Sequence, residues 1–81
     1  MMNLTKAPRD TQLRIVDFSG GQGVHRRLMA LGLHKNDIVE MDSKSILGGP
    51  ILIKDLTSDT SVAVGRGIAR SIMVEVVGEK Q

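Results

Sequence analysis

The chain has 81 residues, of which 41% are hydrophobic and 25% are charged, and its formal net charge is +2. This length and composition are typical of one globular domain and exclude a disordered tail. The absence of cysteine excludes a disulfide framework, a thiolate zinc site and a cysteine nucleophile. No apolar run is long enough for a membrane span or a signal peptide, so we expect a cytoplasmic protein.

The first elements in chain order are a polar arm and a short strand. The polar composition of residues 1–12 predicts a partly ordered N-terminal arm. Residues 13–18 combine aliphatic and aromatic side chains with two charged ones, which predicts a strand. Ile15 and Val16 interrupt its alternation of apolar and polar residues, so we expect a β-bulge at this point.

A glycine-rich segment, residues 20–23, separates this strand from the clearest helical pattern, at residues 24–31. Three aliphatic residues at helical spacing form a stripe that we expect to face a sheet: Val24, Leu28 and Leu31. Gly32 then predicts a left-handed helix stop, with Leu33 folding back against the helix.

Four further strands and one helical turn follow. The strands are predicted at residues 38–43, 50–56, 61–64 and 72–77, and the helical turn at residues 65–70. In the last strand, we expect Ile72, Val74 and Val76 to face inward. Five short strands with one short helix and a helical turn predict a mainly β domain over residues 13–77, closed or nearly closed as a barrel, with a tail at 78–81.

Candidate sites for chemistry are weak. The glycine-rich segment lacks the Lys-Ser/Thr pair of a phosphate-binding loop, which favours a simple strand-to-helix turn. His25 and His34 are weak candidates for binding a transition metal, because their nine-residue separation matches no common ligand spacing; solvated surface histidines are the alternative. No serine is paired with a base by any motif, so we expect no catalytic residue, no enzyme activity and no cofactor.

A basic segment is the first candidate binding feature. No acidic residue occurs between Asp17 and Asp37. The basic residues in this interval are Arg26, Arg27 and Lys35. Together with Met29, they predict a docking surface for an acidic patch on a partner, and the alternative is an ordinary solvated helix face.

The second candidate binding feature is an apolar pair, Ile46 and Leu47, at the centre of a predicted loop. The pair either folds onto the end of the barrel or protrudes as an anchor for another protein, including a second copy of the chain. Phe18 is the chain's one residue of the Phe, Tyr and Trp class. This disfavours single-strand binding, RNA-recognition sheets and proline-peptide grooves, which need exposed aromatic platforms.

Residues 23–33, GVHRRLMALGL, resemble the G-x-x-R-R-L-x-x-L-G-L core of the ferrous-iron transport protein A (FeoA) family. The later Gly49-Pro50 pair and residues 64–74 are similar to that family's G-P and A-x-x-I-x-V motifs, and the resemblance covers residues 13–77. Asn36 departs from the glycine that is common in the family, but asparagine tolerates a left-handed backbone. The usual early glycine is also missing.

The resemblance implies an SH3-like small β-barrel that is accessory to a membrane ferrous-iron permease. Such a protein would bind and modulate the permease's cytoplasmic G-protein domain. One alternative is a small nucleic-acid-binding barrel that uses the same basic segment, with an affinity that falls steeply as salt rises. Another is direct transport of ferrous iron through His25, His34 and carboxylates.

Overall fold

The computed structural model describes residues 1–42 and 49–78. One six-stranded antiparallel sheet organises the fold, in the order β1-β6-β2-β3-β4-β5. Its elements are β1 (Met2–Asn3), a 3-10 helix (Leu4–Lys6), β2 (Gln12–Phe18), α1 (Gln22–Ala30), β3 (Ile38–Met41), β4 (Ile51–Asp55), β5 (Thr60–Val64), α2 (Arg66–Ala69) and β6 (Ile72–Gly78).

The pairing of β2 with β6 is the longest ladder of the sheet in the described residues. The register runs from Gln12 opposite Gly78 to Phe18 opposite Ile72. Between Ile15 and Asp17 the register shifts by one residue, which leaves Val16 as the extra residue of a bulge. The predicted bulge is therefore confirmed.

The core lies on one face of this sheet and under α1. Fifteen hydrophobic side chains form one buried cluster, and those less than 2% exposed include Leu13, Ile15, Leu28, Leu33, Val39, Ile51, Ile72 and Val74. The alternation predicted for the last strand fails at Val76, which is 41% exposed. Val76 lies opposite Leu13, where a second register shift loosens the ladder at the end of β6.

The N-terminal segment contradicts the prediction of a partly ordered arm over residues 1–12. Met2 and Asn3 pair with Val74 and Met73 of β6, which adds a sixth strand. Leu4 is completely buried, and the Asp10 N–H donates to the Met41 carbonyl at 3.0 Å. The segment is therefore held in the fold by burial of Leu4 and by backbone hydrogen bonds to β6 and to Met41.

The prediction of a mainly β, SH3-like fold with one short helix and a helical turn is confirmed. Closure is less complete than predicted, because β1 and β5 form the two edges of the sheet and no ladder joins them within residues 1–42 and 49–78. Neither helix in the described part of the chain has the length and apolar character needed to cross a membrane.

Candidate docking surface

Helix α1 carries most of the predicted binding residues, and its two ends are fixed by the backbone. It begins after Gly21 without a side-chain cap. At its other end the Gly32 N–H donates to the Met29 carbonyl at 2.9 Å, and the Leu33 N–H donates to the Leu28 carbonyl at 3.0 Å. Gly32 has a φ of 89°, so this end is the predicted Schellman stop.

The exposed surface of α1 has two flanks on either side of the buried Leu28. Residues four apart share a flank, which places Arg27 beside Leu31 and places His25 beside Met29. Met29 is 56% exposed and Arg26 points furthest from the core. Leu31 does not complete the predicted buried stripe, since it is 37% exposed where the helix ends and the chain turns away.

Lys35 forms an ion pair rather than extending the arginine surface. Its Nζ lies 3.1 Å from Asp17 Oδ1, and both side chains are about half exposed. The same carboxylate oxygen accepts the Phe18 N–H at 2.8 Å. The hydrogen bonds from Lys35 and from the Phe18 N–H lower the pKa of Asp17. The positive charge of Lys35 is thus paired with a carboxylate at the end of β2.

The two candidate metal ligands each have a partner within the fold. His25 Nε2 lies 2.9 Å from the Phe18 carbonyl oxygen, and its ring meets the Phe18 ring edge-on at a centroid distance of 5.7 Å. Because a carbonyl only accepts, Nε2 is the nitrogen that carries the proton in this contact. His34 Nδ1 lies 3.6 Å from Asp37 Oδ2. Across residues 1–42 and 49–78, no group of three or more histidine or acidic side chains is placed to hold a metal ion.

Two acidic residues, Asp37 and Asp55, are buried in the fold. Asp55 is fully buried at the end of β4, and its Oδ1 accepts the N–H groups of Thr57 and Ser58 at 3.0 and 3.2 Å. Asp55 Oδ2 is buried without a hydrogen-bond partner in residues 1–42 and 49–78, and the neighbouring Asp37 is 7% exposed. Burial, followed by the neighbouring Asp37 carboxyl group, raises the pKa of Asp55.

A groove between the two helices was not predicted from the sequence. It has a volume of about 280 Å³ and is lined by Gly23, Val24, Arg27 and Ile68. It brings α1 together with α2, which is 36 or more residues later in the chain. The sequence has a second interval without acidic residues, between Asp59 and Glu75. This interval contains α2 and is the feature from which its part in a basic surface could have been predicted.

The structure brings the predicted binding residues together only in part. Arg26, Arg27 and Met29 are exposed on α1, whereas Lys35 lies beyond the helix and is paired with Asp17. Ile46 and Leu47 lie outside the described residues. The surface of α1 is thus a small basic and apolar area, which suits binding to a protein of opposite charge.

Comparisons with known proteins are consistent with this architecture. A crystal structure described as iron uptake regulatory protein (FeoA) is 23% identical, with a TM-score of 0.77, and the match covers 91% of this chain and 93% of that one. An NMR structure of a FeoA-like protein from Clostridium acetobutylicum is 20% identical, with a TM-score of 0.82, and the match covers 99% and 91% of the two chains.

A third structure, ScaR with bound Zn²⁺, is 13% identical with a TM-score of 0.81, over 95% of this chain and 37% of that one. At these identities the similarities establish the fold alone. No curated protein gives a significant match. The sequence model of the FeoA domain matches residues 2–76, which includes the N-terminal strand as well as both helices. The chain therefore belongs to the FeoA domain family.

Proposed function

We propose that this chain is a cytoplasmic accessory protein of a ferrous-iron transport system, which binds and modulates the cytoplasmic G-protein domain of the iron permease. The family match over residues 2–76 carries this proposal, because FeoA domains have a role in ferrous-iron transport. Binding rather than catalysis is the proposed activity.

The exposed surface of α1 is the proposed contact. Arg26 and Arg27 are exposed, and Met29 exposes more than half of its surface beside them. Methionine adapts to different apolar partners, and arginine binds carboxylates through two parallel hydrogen bonds. Lys35, Ile46 and Leu47 are proposed as further contacts.

The proposal is tested with a matched pair of double variants. Arg26→Gln/Arg27→Gln and the control Lys6→Gln/Lys54→Gln each remove two positive charges from exposed positions. We expect the first to weaken binding to the soluble G-protein domain by roughly three- to tenfold and the control to have little effect. The dissociation constants are measured by amide NMR titration of the labelled protein.

Equal weakening in both double variants would mean that only net charge matters and would contradict the assignment to α1. Amide shifts confined to strands far from α1 would also contradict it. If the G-protein domain causes no shift while a single-stranded DNA does so at low salt, the nucleic-acid alternative replaces the proposal.

A further inference from the structure

The groove between α1 and α2 has apolar walls and an open mouth. Val24 and Ile68 face it, and both are partly buried hydrophobic residues packed against the core. Gly23, next to Val24 on α1, adds no side chain to the lining, and a Cβ placed there would meet no atom within 4 Å. The volume of about 280 Å³ is ample for one branched aliphatic side chain.

Both helices that form the groove carry basic charge and no acidic charge. Helix α1 lies inside the acid-free interval from Asp17 to Asp37, and α2 lies inside the one from Asp59 to Glu75. Arg27 is exposed and lines the groove itself. An apolar slot with a basic rim is complementary to an apolar side chain with carboxylates on either side.

We propose that this groove receives one aliphatic side chain from an acidic segment of the permease's G-protein domain, with Arg27 pairing to a flanking carboxylate. The inference rests on the proposed function, and it identifies the chemistry of the segment that binds. A protein segment fits better than a nucleic acid, because phosphates gain nothing from the apolar walls and none of the described residues lining the groove is aromatic and able to stack on a base.

Gly23→Leu is a direct test because it fills the groove from inside. Gly23 lies in α1, and a Cβ added there meets no atom within 4 Å, so the substitution starts into open space and improves helix propensity. Gly67→Leu is the matched control. Gly67 lies in α2, a Cβ there also meets nothing within 4 Å, and it does not line the groove.

We expect Gly23→Leu to weaken binding to the G-protein domain by about tenfold or more, and Gly67→Leu to change it by less than about twofold. Amide spectra of both variants check that the fold is retained. If the wild-type protein binds and Gly23→Leu binds equally well, the groove is not the contact, and the inference fails while the proposed function stands.

A peptide titration tests the groove without the permease, and so separates the two failures. The probe is an acetylated, amidated pentapeptide with leucine between two pairs of glutamates, compared with the same peptide carrying serine at the centre. We expect shifts at Val24, Arg27 and Ile68 with the leucine peptide that are much weaker with the serine peptide.

No shift with the leucine peptide, or equal shifts with both peptides, would overturn the inference. Equal shifts from a thymidine oligonucleotide at the same residues would also overturn it, because they would show general anion binding rather than recognition of an apolar anchor.

Discussion

Two buried carboxyl groups, those of Asp37 and Asp55, each hold one turn of the chain. Asp37 Oδ2 accepts the His34 N–H at 3.1 Å, which holds the turn between α1 and β3. Asp55 holds the turn between β4 and β5 through Thr57 and Ser58. Asp55 is fully buried, and its Oδ2 has no hydrogen-bond partner in the described residues, so its protonation state affects stability.

The raised pKa of Asp55 gives a pH-dependence with a definite sign. Because the folded state binds this proton more tightly than the unfolded state, the stabilisation is fully present below the unfolded pKa of about 3.9. It is lost as pH rises through the folded pKa. Asp55→Asn removes the buried charge and keeps an oxygen for both backbone contacts, so we expect it to be more stable near neutral pH by on the order of 1 kcal/mol.

Urea unfolding between pH 4 and 8 measures this difference. Asp17→Asn is the control. The pKa of Asp17 is lowered by Lys35, so the contribution of Asp17 to stability is lost as pH falls, whereas that of Asp55 is lost as pH rises. The free energy of unfolding of Asp17→Asn should therefore decline toward higher pH as it does in the wild-type protein. An Asp55→Asn protein with that same decline would refute the role of the Asp55 carboxyl group.

Single residues also show why some local geometry is predictable. Asn36 has a φ of 74° and its Oδ1 accepts the Arg14 Nη1 hydrogen bond at 2.7 Å. The left-handed backbone was expected from the family position and from the tolerance of asparagine for it. The bond to Arg14 was not predictable, because these residues meet only after β2 and β3 pair.

At the scale of elements, Leu28 is the one completely buried side chain of α1. Leu31, one turn later, is 37% exposed. Leu28→Ala should therefore lower the free energy of unfolding by roughly 2–4 kcal/mol, because it opens a cavity between helix and sheet. Leu31→Ala should cost less than about 1 kcal/mol.

Chemical denaturation of the two variants tests this expectation. Equal losses would mean that both leucines contribute alike to the attachment of α1, as the regular spacing of the sequence suggests. A small loss at Leu28 alone would mean that the surrounding core collapses into the cavity.

Regular elements were predicted well where side-chain alternation or helical spacing was continuous. The strands beginning near residues 13, 38, 51, 61 and 72 are present, with ends that differ by one or two residues where described. Strand β1 was missed because two residues carry no readable alternation, and only pairing with β6 makes them a strand. Helix α1 starts two residues earlier than predicted because glycine and glutamine extend a helix that tertiary contacts already hold.

At the scale of the molecule, the N-terminal segment is part of the core rather than an arm. Leu4 is fully buried, and the 3-10 helix contacts both α2 and β6. Leu4→Ala should therefore lower the free energy of unfolding by about 2–4 kcal/mol. Lys6→Ala, on the same 3-10 helix but exposed, should be nearly neutral.

Thermal or urea unfolding of these two variants distinguishes a core segment from a loose arm. If Leu4→Ala is as neutral as Lys6→Ala, the original prediction of an arm over residues 1–12 is correct and the burial of Leu4 contributes little.

The candidate surface was predictable only in its local part. The exposure of Arg26, Arg27 and Met29 follows from helical spacing around Leu28. The groove required knowledge of how α2 packs beside α1, and the pairing of Lys35 with Asp17 required the path of the chain after Gly32. Both depend on contacts between residues distant in sequence, which periodicity does not encode.

The position of β6 between β1 and β2 has a consequence for synthesis. Strands β1 and β2 both pair with β6, and in the described residues β6 is the neighbour of β1. Contacts between strands this far apart in sequence form late. The sheet is therefore completed only after β6 has been synthesised, and until then the apolar faces of the earlier strands are available to chaperones.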